Sequence, residues 1–175
     1  MTSNSIPNSS AVPRVSPTQP RFEHFRAMRI AGLRQSFTSA SLDEIPELWR
    51  RLMSLGKVQG RTSRVDYGVV LLHSDRCDYL AGFEVTESAA LPADLDCIQI
   101  PANEYAVFSH DGHVSKLRDT FDAAVNRWLP ASSLEIARPA RGEPYVLERY
   151  GEGFNPATGI GDIEVWIPVW RPSRR

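Results

Sequence analysis

Between residues 24 and 169 the chain sets out one order of elements twice, and that repetition limits its possible folds more than any other feature. Residues 24–37 (HFRAMRIAGLRQSF) read as a long first strand, broken or bent near Gly32. In SLDEIPELWRRLMSLG, Ile45, Leu48, Trp49, Leu52 and Leu55 recur at helical spacing. Ser41 with Glu44 fits a capping box, Pro46 is tolerated if the helix begins around Asp43, and Gly56 marks its end. YGVVLLH (67–73) and YLAGFEV (79–85) then read as two strands joined by a turn.

The second pass opens with the strand EYAVFSH (104–110) and the turn Asp111–Gly112. A helix follows near 115–128, with Leu117, Phe121, Ala124, Val125 and Trp128 on one face and Pro130 to stop it. Strands near 143–150 and 162–169 flank the loop GEGFNPATGIGD. The two units, about 24–86 and 103–169, are nearly equal in length. Strand–helix–strand–strand written twice predicts a duplicated α+β fold: two antiparallel sheet layers, each with its helix, meeting at a pseudo-twofold axis.

Residues 1–20 are Ser, Pro, Asn and Thr with few large apolar side chains, so they are expected to form a flexible tail, leaving residues 21–175 as one folded domain. The net charge is -1, and of the 20 basic residues only Lys57 and Lys116 are lysines, the arginines being scattered. That distribution predicts a solvated surface, with no direct DNA binding and no membrane attraction. The N-terminus lacks a secretory pattern and no apolar run approaches the ~20 residues of a membrane helix, so the expected location is the cytoplasm. Cys77 and Cys97 sit in no C-x-x-C spacing and are expected as reduced thiols. His110 and His113 in HDGH have no third ligand nearby and read as a surface turn, so no metal is expected. No cofactor is expected either, since GEGFNPATGIG lacks the Walker lysine.

The last strand, DIEVWIPV, carries the most chemistry. Ile163, Val165, Ile167 and Val169 fall on one side of its pleat as a core face, while Glu164 and Trp166 project together on the other. An exposed sheet face would give Glu164 no special role, but Trp166 is poorly suited to open water, so Glu164 is expected to line an enclosed cleft. There it needs a cation or hydrogen bonds. Trp49 divides evenly between core and cleft wall, and Tyr67, Tyr79, Tyr105 and Tyr150 offer hydroxyls to a ligand. Phe108 and Trp128 lean toward the core. Gly82 leaves room for a ligand or another backbone, and Glu84 reads as a solvated strand end rather than a second cleft carboxylate.

Seven segments, IPELW (45–49), YGV (67–69), YLAGFEV (79–85), IPANEYAVFSHDG (100–112), WLP (128–130), LERY (147–150) and IEVWIPV (163–169), follow the order found in the GyrI-like effector-binding family, which the chain resembles from residue 24 to residue 169. The resemblance implies a duplicated fold with an aromatic cleft. In it a glutamate on the last strand, here Glu164, meets cationic or polar groups of flat, greasy ligands, with Trp166, Trp49, Tyr67, Tyr79, Gly82, Tyr105, Phe108 and Tyr150 around it. Regulators of the family place a helix-turn-helix before this domain, which residues 1–20 are not expected to supply.

Three functions fit these parts, and binding of planar, hydrophobic, often cationic compounds ranks first. The second is hydrolysis of cyclopropane-containing alkylating toxins, implied by similar family members, with Glu164 as general base and Tyr67 or Tyr105 supporting the developing charge. The third is an interaction with gyrase or with a separate regulator.

Overall fold

The computed structural model describes residues 19–73, 76–139, 142 and 144–172, so the expected tail lies, through residue 18, outside the described residues. Among the described residues nine strands form one antiparallel sheet: β1 (Arg21–Phe25), β2 (Met28–Phe37), β3 (Arg61–Leu72), β4 (Cys77–Val85), β5 (Asp96–Ile100), β6 (Asn103–Ser109), β7 (Glu135–Ile136), β8 (Tyr145–Tyr150) and β9 (Ile163–Trp170). Their lateral order is β1-β6-β9-β8-β3-β4-β2-β5, with the short β7 beside β9. The expectation of two sheet layers is thereby corrected. β3 of the first half pairs with β8 of the second, from Asp66↔Tyr150 to Leu71↔Tyr145, and joins both halves into one curled, half-barrel sheet.

The predicted first strand is two strands, interrupted at Arg26–Ala27 and not at Gly32. Gly32 lies mid-strand opposite Gly82, where an added Cβ would come within 1.9 Å of the Ala81 carbonyl oxygen. The glycine pair therefore permits close strand approach and leaves the chain direction unchanged. β1 pairs with β6 and β2 with β5, in one unbroken register. Phe25 faces Asn103; three residues further along the first strand and three back along the second, Met28 faces Ile100. Residues 21–32 and 96–107 thus make a bent two-stranded ribbon whose two ends join opposite margins of the sheet. Neither β5 nor β7 was anticipated: β5, in this ribbon, is short and largely exposed, so it carries little alternation, and β7 is a two-residue strand beside β9.

Helix α1 (Ile45–Ser54) presents Leu48 and Leu52 to the sheet and is followed by Gly56 at φ 73°. The capping box does not form. A 3-10 turn (Leu42–Glu44) precedes α1, Glu44 takes the cap position, and Ser41 Oγ accepts instead from the Thr38 N–H at 3.0 Å. Helix α2 (Leu117–Asp122) continues through a π-helical segment (Ala123–Trp128) and a last turn (Leu129–Ala131). Pro130 lies inside that turn and does not stop the helix before it: the wider register, in which the Leu129 N–H bonds to the Ala124 carbonyl, takes up the ladder position that proline cannot donate to.

Both helices cover one face of the sheet, where Leu48, Leu52, Leu117 and Ala124 meet Ala31, Phe83, Val146 and Val165. The opposite face curls over a second core of Ile30, Val69, Leu80, Tyr105, Leu147 and Trp166. No helix among the described residues is long and apolar enough to cross a membrane.

Candidate functional site

Because successive side chains of a strand point to opposite faces, the sheet sorts the candidate residues into two groups. On the helix-covered face, Glu148 of β8 stands opposite Gly68 of β3. Tyr79 of β4 donates its hydroxyl to Glu148 Oε2 at 2.6 Å, and Tyr150 donates to the same oxygen at 3.0 Å. Trp49 of α1 closes the group from above: its Nε1 donates to the Tyr79 hydroxyl at 3.1 Å. The Trp49 ring packs edge-on to Tyr150 at 5.2 Å between centroids, and Phe154 packs against the far side of Tyr150, also at 5.2 Å. Glu148 thus sits in an aromatic box whose lid is the first helix.

Both phenols address Oε2, while Oε1 takes no hydrogen bond among the described residues, and no described cationic side chain pairs with the carboxylate. Burial raises the Glu148 pKa above the usual carboxylate value, and the two tyrosine hydroxyls offset part of that shift. Desolvation, then the neighbouring carboxylate, pushes both phenols well above their ordinary value, so they remain donors at any physiological pH. Glu148 and Trp49 stay partly exposed, whereas Tyr79 and Tyr150 are buried. Two open hollows of about 500 and 870 Å³ lie elsewhere, the first beside Lys57 and Arg64, the second beside His73 and Arg138, and no residue of the box lines either.

On the other face Glu164 is enclosed by a different set of partners. Arg21 donates to its Oε1 at 2.6 Å, Arg149 to its Oε2 at 3.3 Å, and Trp166 Nε1 to Oε2 at 2.8 Å. Trp166 packs on Tyr105 at 5.4 Å, and the Tyr105 hydroxyl lies 2.9 Å from that of Tyr145. Tyr67 and Gly82 share this face, paired across β3 and β4, and Tyr67 lies in the same lateral row as Arg149 and Glu164. Glu84 is not a solvated strand end: it is buried and held by Arg26, whose Nη2 donates to Oε2 at 2.9 Å. The arginine compensates for its burial.

The structure therefore gathers Trp49, Tyr79 and Tyr150 around Glu148, gathers Tyr67, Tyr105 and Trp166 near Glu164, and leaves Phe108 against Trp128 at 5.0 Å beneath the second helix. Sequence reasoning passed over Glu148 and Phe154. The signal for Glu148 was present in LERY, where Glu148 and Tyr150 alternate on one pleat face just as Glu164 and Trp166 do. The HDGH pair is also corrected. His113 is exposed, but His110 is buried, its Nε2 donating to the His113 carbonyl at 3.0 Å and its Nδ1 accepting from Thr120 at 2.8 Å, so it fastens β6 to the following helix. No group of three metal-ligating side chains occurs among the described residues.

A curled antiparallel sheet with two helical segments on one face defines an α+β domain. Residues 18–169 match the GyrI-like small molecule binding domain, and the chain belongs to that family. A curated relative, the transcriptional regulator BrlR of Pseudomonas aeruginosa, is 30% identical over 148 residues, 82% of this chain. The chain spans about half, 53%, of that regulator's length. Among solved structures, SAV2435 bound to tetraphenylphosphonium superimposes with a TM-score of 0.66 at 16% identity, over 87% of this chain and 94% of its own. A hydrolase from Listeria innocua superimposes with a TM-score of 0.51 at 9% identity, over 89% and 94% of the two chains.

Proposed function

We propose that this domain binds flat, hydrophobic organic cations in the aromatic box, with Glu148 as counter-charge and the rings of Trp49, Tyr79 and Tyr150 as walls. One observation carries this reading: Glu148 is a ring-enclosed carboxylate with phenol donors on one oxygen, no hydrogen bond on the other among the described residues and no described cation beside it. Aromatic faces attract a desolvated cation, and the carboxylate adds a charge-assisted contact. The phosphonium cation bound to SAV2435, which shares the fold, is likewise hydrophobic, aromatic and cationic, with flat phenyl rings on a tetrahedral centre. Glu164, the carboxylate expected from the sequence, already has two arginines, so a cation there would compete with both.

The architecture fits the same reading. Each half runs strand, helix, strand, strand, and the lateral order reads β6-β9-β8 in one half and, mirrored about the β8–β3 junction, β3-β4-β2 in the other. We read this as a duplicated unit with a pseudo-twofold axis at that junction, the box lying beside it as the central ligand site. With a net charge of -1, the domain presents its ligand response to other parts of a regulatory assembly and does not itself read DNA sequence.

The decisive experiment is calorimetric titration of the full chain with tetraphenylphosphonium. Glu148→Gln weakens binding by about 1.5–3 kcal/mol, the scale of a charge-assisted hydrogen bond. Glu164→Gln changes it by less than about 0.5 kcal/mol, as expected away from the contact. The reverse pattern would move the site to the opposite face of the sheet.

A further inference from the structure

The centre of β3 carries a glycine that its backbone does not require. Gly68 is buried and extended, with no positive φ, in a twelve-residue strand paired on both sides. A glycine in such a position ordinarily weakens a sheet, so the reason for it is space. A Cβ built on Gly68 would lie 2.1 Å from the Tyr79 hydroxyl oxygen, 2.6 Å from its Cζ and 2.7 Å from Glu148 Oε2. All three atoms belong to the hydrogen bond at the floor of the box. Tyr79 has little freedom to yield, being fully buried between Phe37 and Trp49.

We propose that Gly68 is the positioning residue of the box: the missing side chain lets Tyr79 deliver its hydroxyl to Glu148, so residue 68 determines whether the carboxylate meets a cation with two phenol donors or one. This rests on the reading of Glu148 as the ligand counter-charge. Any side chain at 68 displaces the Tyr79 phenol, which breaks its bond to Glu148. Since the same oxygen accepts from Trp49, the displacement also breaks the hydrogen bond that fastens α1 to the box. Tyr150 is not among the nearest atoms that the new Cβ would meet, so its hydroxyl remains available to Glu148 once Oε2 moves clear of the 2.7 Å contact.

The test uses the full chain without ligand, and follows the Glu148 carboxyl carbon by NMR across pH in wild type, Gly68→Ala, Tyr79→Phe and the double variant. Loss of the Tyr79 donor raises the titration midpoint in Tyr79→Phe. Gly68→Ala raises it to a similar extent, and the double variant shows no further change. A glycine kept only for strand packing would lower the melting temperature and leave the midpoint in place, which overturns the proposal; additive midpoint shifts overturn it too. Where Gly68→Ala alone does not fold, Gly68→Ala with Tyr79→Leu recovers folded protein, because leucine stops short of both contact atoms. Failure of that rescue also counts against Gly68 acting through Tyr79. Calorimetry with tetraphenylphosphonium, run in parallel, shows Gly68→Ala and Tyr79→Phe each weakening affinity about tenfold. A wild type that does not bind the phosphonium defeats the functional reading alone, because the ligand-free titration still decides the role of Gly68.

Discussion

Glu148 and Glu164 lie on neighbouring strands, one residue out of step, and face opposite sides of the same sheet: Glu148 pairs with Val165, and Glu164 with Arg149. Their surroundings differ accordingly. Two phenols and an indole-bearing helix enclose the first, while two arginines and an indole N–H neutralise the second. A one-residue offset on a pleated sheet thus places one carboxylate among phenols and the other among arginines.

The raised pKa of Glu148 has a definite sign in stability. The folded protein holds this proton more tightly than the unfolded chain does, so its contribution is fully present below the unfolded glutamate value of about 4.3 and is lost as pH rises through the folded value. Glu148→Gln should therefore melt at a higher temperature than wild type at pH 7, with the difference shrinking toward pH 4. Affinity for a cation should fall on acidification at a higher pH than an ordinary glutamate would show. Thermal melts and calorimetry at several pH values check both.

Glu164 should behave as a structural residue. Glu164→Ala leaves the buried Trp166 Nε1 without its acceptor and costs about 1–3 kcal/mol of stability in urea unfolding. Glu164→Gln keeps an acceptor oxygen and should cost less. Equal stability of wild type and the alanine variant would show that the indole contact contributes nothing.

Asp78 supplies the opposite pH dependence. The Ser36 hydroxyl and then Arg34 hold this buried carboxylate well below the usual range. The stability it contributes is present above the unfolded aspartate value of about 3.9 and is lost as pH falls through the depressed folded value. Asp78→Asn should cost about 1.5–3 kcal/mol at pH 7, the scale of hydrogen bonds to a charged group, because the arginines reach solvent and are only partly dependent on the pair. The gap between the two proteins should narrow steadily in urea melts below pH 4.

Local pattern was informative wherever burial is one-sided. The helical stripe of α1 and the alternation of β9 place Leu48, Leu52, Val165 and Trp166 on the faces they occupy. What could not be read locally depends on distant partners. Arg21 reaches Glu164 from 143 residues away, so nothing near DIEVWIPV reveals that its acid is already neutralised. The pairing of β3 with β8 merges the expected two layers, and no short window of residues records it. The break at Arg26–Ala27 has neither glycine nor proline to announce it, whereas Gly32, which drew attention as a breaker, marks close contact between strands.

The bent ribbon makes the two halves of the chain lend each other a strand. β1 precedes the first half yet completes the margin of the second, and β5 precedes the second yet borders the first. A cut in the connecting residues 86–95 would give two fragments, each with a donated arm left over and a bare sheet edge. Such fragments should be complementary rather than autonomous, each insoluble or partly ordered alone and folding when mixed, because every ladder one lacks is carried by the other.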